Sequence, residues 1–332
     1  MSIIYIKEEG SKVQFSGGRL TVLSGNNSNS FPIESIDAMV VIGQIALSNA
    51  CSIQMLERGI PVTYISSRGK YYGRLQSTKH TNIHRQRLQF KQGEDENFCM
   101  GLAKSFVEAK VNNQLVLLRR YNRNVQIDEV AESIEKMEQL RHIIKRANST
   151  SQLMGYEGTA SRVYFGALSQ LVEKEFAFKG RTRMPPKDEF NSLLSYGYTL
   201  LLYEIFTVIE SRGINPYAGF MHKDKHGHPA LASDLIEEWR PVIVDSLVLN
   251  LIQGHRINKS DFTKDDETGG VFLKKEGNKK YVMAFEDKLK VEVKYFEDMN
   301  CSFRRGIEHQ VLCLIKAIES GEPNHYMPIR VR

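Results

Sequence analysis

Over the first 75 or so residues, apolar positions come in short runs or alternate with polar ones, the signature of strands rather than helices. Ile3-Ile4-Tyr5-Ile6 is a run; Val13 and Phe15 alternate with polar neighbours, as do Leu20 and Val22. Gly17-Gly18 and Gly25-Asn26-Asn27 punctuate these segments as turns. Ala38-Met39-Val40-Val41-Ile42 and Ile60–Ile65 read as buried strands, and Ser48–Arg58 between them carries Ala50, Ile53, Met55 and Leu56 at helical spacing. Residues 1–76 are therefore expected to form a small β-rich domain, suited to a scaffold or a dimer surface. Residues 77–96 are polar and basic (Lys79, His80, His84, Arg85, Arg87) and read as a linker running into the first turns of a helix.

From Asn97 on, the period lengthens to that of a helix. Phe106, Val107, Leu115 and Leu118 share one face, and Ile134, Met137, Leu140, Ile143 and Ile144 mark a second helix within Val130–Arg146. Further helices are predicted at 152–175, 188–212, 231–253 and 299–320. Asp261–Glu286, with Gly269-Gly270 and Glu276-Gly277-Asn278, reads as an excursion containing a hairpin, and the tail from Glu322 as irregular. The expected class is α+β: a small β-rich N-terminal domain followed by a larger all-α catalytic domain over 97–332.

Composition narrows this picture only modestly. At 41% hydrophobic and 25% charged residues over 332 positions, wholesale disorder is excluded and two domains are accommodated. Lys+Arg exceeds Asp+Glu by 45 to 39, a net charge of +6, which permits a nucleic-acid partner without requiring one. The four cysteines (Cys51, Cys99, Cys301 and Cys313) show no CxxC spacing, which argues against a zinc site or a disulfide framework. No leader is expected at MSIIYIKEEG, and no apolar stretch is expected to approach the ~18 residues that span a bilayer; the expectation is a cytoplasmic globular protein.

Three polar clusters interrupt the helical pattern. In Gly155-Tyr156-Glu157-Gly158-Thr159-Ala160-Ser161-Arg162, Glu157 stands between residues small enough to let another backbone or a ligand come close; an ordinary exposed glutamate near a helix start is the plainer reading. Met221–His228 holds three of the chain's nine histidines, and His222 follows an apolar approach that would hold its ring near a core, whereas His226 and His228 read as surface residues. In Asp234–Pro241, Asp234 and Glu237 lie one helical turn apart; they form either a solvated face or a pair that needs a cation. Carboxylates with one imidazole are a donor set for Mg²⁺ or Mn²⁺. No phosphate-binding GxxxxGK[ST] loop, dinucleotide fingerprint or GxSxG elbow is present, which argues against nucleotide hydrolysis and hydride transfer.

These clusters, together with Asn215-Pro216…Gly219-Phe220-Met221-His222 and Arg181…Arg183-Met184-Pro185-Pro186…Asn191-Ser192-Leu193-Leu194-Ser195-Tyr196-Gly197-Tyr198, resemble in order and spacing the CRISPR-associated spacer-acquisition integrase/endonuclease family ("Cas one") over nearly the whole chain. The resemblance implies a homodimeric, metal-dependent DNA endonuclease and integrase. Such an enzyme joins prespacer 3′-hydroxyl ends to a CRISPR repeat by transesterification, in prokaryotic adaptive immunity. It implies Glu157, His222 and Glu237 as the catalytic metal ligands, with Asp234 supporting and its direct ligation left open, and Mg²⁺ or Mn²⁺ as the ion. It also implies double-stranded and branched DNA as substrates, and a small ferredoxin-like partner ("Cas two") completing a heterohexamer.

For the DNA backbone, the candidate cations are Arg119, Arg120, Arg123, Arg141, Lys145 and Arg146 on the first helices of the second domain, with Lys223 and Arg240 beside the proposed site. Roughly half of these would be solvated helix faces. Tyr164, Tyr196 and Tyr217 are expected in the core rather than at the ligand. The rival readings are a metal-dependent repair nuclease acting on branched DNA without integration, and a non-catalytic DNA-binding scaffold.

Overall fold

Strand propensity and glycine turns build the first unit. A computed structural model describes residues 2–296 and 299–331, and its backbone divides into one unit ending at Thr81 and another beginning at Asn82. The first unit holds β1 (Ile3–Ile6), β2 (Lys12–Ser16), β3 (Arg19–Ser24), β4 (Asn27–Pro32), β5 (Ala38–Ile42), β6 (Ala46–Leu47), α1 (Asn49–Arg58), β7 (Val62–Ile65) and β8 (Tyr71–Leu75). One sheet runs β1-β5-β7-β8, with β1, β5 and β7 parallel and β8 antiparallel to β7. The other runs β4-β3-β2-β6, a meander with the short β6 parallel to β2. Strand β5 is buried at every position, as its unbroken apolar run requires. Helix α1 starts on the Ser48 hydroxyl, which accepts from the Cys51 amide at 3.2 Å, and stops at Gly59 in the left-handed region (φ 75°). Val13, Leu20, Ile33, Met39, Val41, Cys51, Met55 and Val62 form the core of this unit.

The second unit is mostly helical. It comprises α2 (Ile83–Gly93), α3 (Glu96–Val125), α4 (Asp128–Ile144), α5 (Thr150–Leu171), α6 (Glu189–Ser211), α7 (Ala230–Trp239), α8 (Ser246–Gln253), β9 (Phe262–Lys264), β10 (Val271–Leu273), α9 (Lys275–Lys290), β11 (Glu292–Phe296), β12 (Met299–Ser302) and α10 (Phe303–Ser320). Most of the stretch read as a linker is helix α2 and the start of α3, with a single 3₁₀ turn, Thr78–His80, ahead of them. The 30 residues of α3 make a rod of about 45 Å that packs against α4, α5 and α7. The expected hairpin is β9–β10, but Glu276-Gly277-Asn278 is no turn: it opens α9, where Gly277 is needed because a Cβ there would meet the Asp261 carbonyl oxygen at 2.8 Å. A second hairpin, β11–β12, occupies the start of the span expected to be helical from 299, so the last helix begins at Phe303 on a Ser302 cap.

Two expectations need correction. Helix α6, 23 residues long, is long and apolar enough by length and composition to cross a membrane, although no such stretch was expected; 72% of its most apolar window is buried inside the protein. Tyr217 is no core residue: it is 44% exposed, with its ring edge-on to Phe206.

Candidate catalytic site

Helix α7 is buried along its whole length, including Asp234, Glu237 and Glu238. Three carboxylates on a buried helix need partners, because an uncompensated buried charge costs several kcal/mol, and each finds a different one.

Asp234, fully buried, turns to the loop before the helix. Its Oδ2 accepts the Phe220 and Met221 amides at 2.7 and 3.1 Å, and its Oδ1 accepts the His222 amide at 2.9 Å. The same Oδ1 lies 2.6 Å from His222 Nδ1. A carboxylate accepts, so Nδ1 carries the hydrogen and, in the neutral ring, Nε2 keeps its lone pair. Burial works against a charged His222 ring, but the hydrogen bond and charge of Asp234 outweigh it and raise the pKa above its usual value. The loop comes this close because position 219 is glycine: a Cβ there would lie 2.9 Å from both Ala230 and the Asp234 oxygen.

Glu237 faces the other way. Its Oε1 pairs with Arg240 Nη1 at 2.7 Å and its Oε2 with Lys110 Nζ at 2.7 Å. Burial pushes the Glu237 carboxyl up, but Arg240 and then Lys110 bring it down to about 2. Lys110, in the middle of α3, also pairs with Glu157 Oε1, an oxygen that further accepts the Ser161 hydroxyl at 2.8 Å. One ammonium thus bridges the two glutamates. Burial lowers the Lys110 pKa, yet Glu237 and Glu157 together raise it.

Glu238 is held by the end of the chain. It accepts the Tyr326 hydroxyl at 2.5 Å and the Ile329 amide at 2.7 Å, and burial still pushes its carboxyl up to about 8. Asn113 of α3 donates to the carbonyls of Glu238 and Ile329 at 2.8 and 2.9 Å and accepts the Val331 amide at 2.9 Å; Arg330 pairs with Glu108. The tail expected to be irregular is a strap tying α7 to α3.

The span read as one helix over 231–253 is helical throughout but changes pitch in the middle. Pro241 has no amide hydrogen and its ring would crowd the carbonyl a turn earlier, so Arg240–Asp245 widens into a π turn before α8 resumes. The wider turn presents Arg240 to Glu237 and Asp245 to Tyr164 and Tyr198, whose hydroxyls each donate to it at 2.6 Å. The guanidiniums of Arg240 and Arg181 both lie against the Tyr198 ring, 4.9 and 5.2 Å from its centre.

Glu157, Glu237 and Lys110 therefore meet directly, and His222 is close enough to feel the charge of Glu237. Among the described residues, however, no three His, Cys, Asp or Glu side chains are gathered closely enough to cage an ion, because a lysine lies between the two glutamates. Glu157 stands within α5, seven positions after its first residue, Thr150, rather than at a helix start. The Glu157 side chain is 18% exposed, and a Cβ at Gly155 or Gly158, on the neighbouring faces of α5, would meet nothing within 4 Å.

The DNA-backbone candidates divide into two groups. Arg119 and Arg141 pair with Glu138, Lys145 with Glu108 at 3.6 Å and Arg240 with Glu237, though Arg119 and Lys145 stay exposed; Arg120, Arg123, Arg146 and Lys223 are exposed and have no ion pair among the described residues.

The geometry can be set beside known proteins. A family model described as "CRISPR associated protein Cas1" matches residues 4–287. The chain belongs to the Cas1 family. A CRISPR-associated endonuclease Cas1 of Mycobacterium tuberculosis is 34% identical over 331 residues, covering 99% of this chain and 97% of that protein. One of Thermus thermophilus is 32% identical over 336 residues, covering 100% and 98%. Among solved structures, a Cas1 protein from Thermotoga maritima shares the fold with a TM-score of 0.82 at 23% identity, over 97% of this chain and 98% of that one. A casposase bound to integration product gives a TM-score of 0.82 at 25% identity, over 97% and 92%. Curated Cas1 relatives are thus named endonucleases, and the fold is that of Cas1, with a β-rich first unit and a mostly helical second.

Sequence reasoning missed Lys110, Tyr198, Asp245 and the strap. Lys110 did leave a signal: it falls four positions after Phe106 and three after Val107, on the apolar stripe of α3, where a lone cation has no reason to be unless it is paired. The strap left none, since Tyr326-Met327-Pro328-Ile329-Arg330-Val331 is too short and too interrupted by proline to show a helical period.

Proposed function

We propose that this Cas1-family chain is a metal-dependent DNA endonuclease and integrase, which joins the 3′-hydroxyl of a prespacer to a phosphodiester of a CRISPR repeat. The observation that carries the reading is the buried pairing of Glu157 and Glu237 around a cation, beside a histidine whose Nδ1 is held by Asp234. Structural charge networks seldom need an imidazole oriented in this way; metal-binding histidines do. The likeness to a casposase solved with its integration product supports the joining reaction.

The donor set fits a hard divalent ion: two carboxylates already drawn together by a positive charge, and an imidazole whose Nδ1 is taken by Asp234 so that Nε2 keeps its lone pair in the neutral ring. Glu157, Glu237 and His222 Nε2 would hold Mg²⁺ or Mn²⁺, and such an ion supplies an activated hydroxyl and neutralises charge on the phosphoryl group. In joining, the prespacer 3′-oxygen forms a bond to phosphorus while the bond to the repeat's own 3′-oxygen breaks; the attacking hydroxyl gives up a proton and the leaving oxygen takes one. Asp234 acts as a positioning residue, holding the His222 ring and, through three backbone amides, the loop that carries it. Arg240 keeps Glu237 ionised. The exposed Arg120, Arg123, Arg146 and Lys223 are the proposed phosphate contacts. We further propose that the chain works in the cytoplasm as a homodimer, joined by a small ferredoxin-like Cas2-type partner in a heterohexamer; the four cysteines, all free thiols, suit that compartment.

A labelled prespacer, a repeat-bearing plasmid, the small partner and Mn²⁺ test this. The wild-type protein yields covalently joined products, and Glu157→Ala and His222→Ala yield none. Cutting without joining would favour the repair-nuclease reading, and undiminished joining by Glu157→Ala would overturn the site.

A further inference from the structure

The most unusual group in the site is the lysine. Lys110 is 6% exposed and lies between two glutamates drawn from α5 and α7, with Arg240 on the far side of Glu237. The two carboxylates and the two cations cancel. A divalent ion added to that balanced set would leave an excess of two positive charges in a buried place, which is costly without new anions. The site is thus built neutral and closed upon itself, and only the removal of Lys110 from the glutamates frees both for another cation.

Resting on the metal-site reading above, we propose that Lys110 is the site's own cation: its ammonium holds Glu157 and Glu237 together in the metal-free protein, competes with the divalent ion for them, and moves to a phosphate of bound DNA when the ion enters. Three features carry this. The ammonium occupies the space between the two carboxylates rather than flanking it. It sits at the end of a flexible four-carbon stem, so it can leave without moving α3. The Glu157 side chain keeps 18% of its surface exposed, and Gly158 next to it carries no side chain, so a phosphodiester backbone can come close enough to receive the ammonium. Metal and DNA then help each other, and the coupling is reciprocal: DNA tightens the ion by taking the lysine, and the ion tightens DNA by releasing it.

Mn²⁺ binding read by the loss of its free-ion EPR signal, with and without a short duplex, tests the proposal. Without DNA, Lys110→Met is expected to bind Mn²⁺ about tenfold or more tightly than wild type, because a unit charge a few ångströms away no longer competes. Lys110→Arg, which keeps the charge, is expected not to show that gain. The duplex should raise the Mn²⁺ affinity of the wild type and have a much smaller effect on Lys110→Met. Equal or weaker Mn²⁺ binding by Lys110→Met would overturn the role of Lys110 while leaving the metal site standing; no Mn²⁺ binding by either protein would overturn both. If Lys110→Met does not fold without metal, the wild type decides by NMR of ¹⁵N-lysine. The protected ammonium signal that is missing in Lys110→Arg should shift and lose its protection on Mg²⁺ titration, and a signal unmoved at saturating Mg²⁺ would overturn the proposal.

Discussion

Asp234 and Asp245 are both buried aspartates, yet they carry opposite consequences. Asp234 accepts three backbone amides and the His222 ring, so Asp234→Ala leaves several buried donors without an acceptor. The expected cost is at least about 2 kcal/mol in urea unfolding. Asp234→Asn, which keeps the shape, should weaken Mn²⁺ binding by about 10–100-fold; full retention of both properties would refute its positioning role. Asp245 is pushed up from 3.8 to about 6 by burial, against the pull of two tyrosine hydroxyls and two arginines. The folded protein thus binds this proton more tightly than the unfolded chain. The stability it contributes falls as pH rises between about 4 and 6 and is level above that window. Asp245→Asn cannot titrate, so unfolding free energies measured across the window should show wild type losing ground to the variant as pH rises. Identical pH slopes would mean that Asp245 stays ionised in the fold. At this scale the glycine, apolar and one-turn spacings singled out Glu157, His222, Asp234 and Glu237 as candidates beside plainer readings, and only the family resemblance gave them roles. Lys110 and Asp245 were hidden because each looks like an ordinary charge until its partners, 47 and 81 positions away respectively, are known.

Elements were legible where a single period ruled them. Helices α3, α5 and α6 follow the apolar spacing closely, and β5 follows its unbroken apolar run. Legibility failed where covalent geometry or tertiary packing overrode period. Pro241 lies inside an apolar stripe that reads as one helix, and only its missing amide hydrogen explains the widened turn after α7. Gly277 looks like a turn residue but serves a close approach inside α9. The glycines of α5 differ again, since nothing in the protein crowds them. Gly158→Ala is therefore expected to stabilise the fold by about 0.5–1 kcal/mol through helix propensity. On the reading that DNA lies along this face, the same change should weaken duplex binding. A thermal-unfolding curve paired with a binding titration separates the two effects, and a gain in stability with no loss of affinity would place the DNA elsewhere.

For the whole molecule, the excess of six positive charges understates how unevenly the cations are employed. Arg119, Arg141 and Lys145 are engaged by Glu138 and Glu108, whereas Arg120, Arg123, Arg146 and Lys223 form a group that is exposed without such an ion pair among the described residues. Replacing one of the exposed group by Gln should lower the salt slope of duplex binding by about one, and replacing one of the engaged group should lower it less. Slopes that fall equally for both groups would show that the ion pairs give way to phosphate. The strap formed by Tyr326, Ile329, Arg330 and Val331 bears on how the protein is made. A ribosome releases these residues after every helix they bind, 91 positions later than Glu238 in the case of Ile329. A nascent chain can thus display the acidic residues of α5 and α7 and His222 of the loop before α7 while Glu238, next to Glu237, still lacks its anchors. On the proposed reading, a polypeptide halted before Tyr326 lacks the anchors of the residue next to Glu237 and is expected to act on DNA poorly.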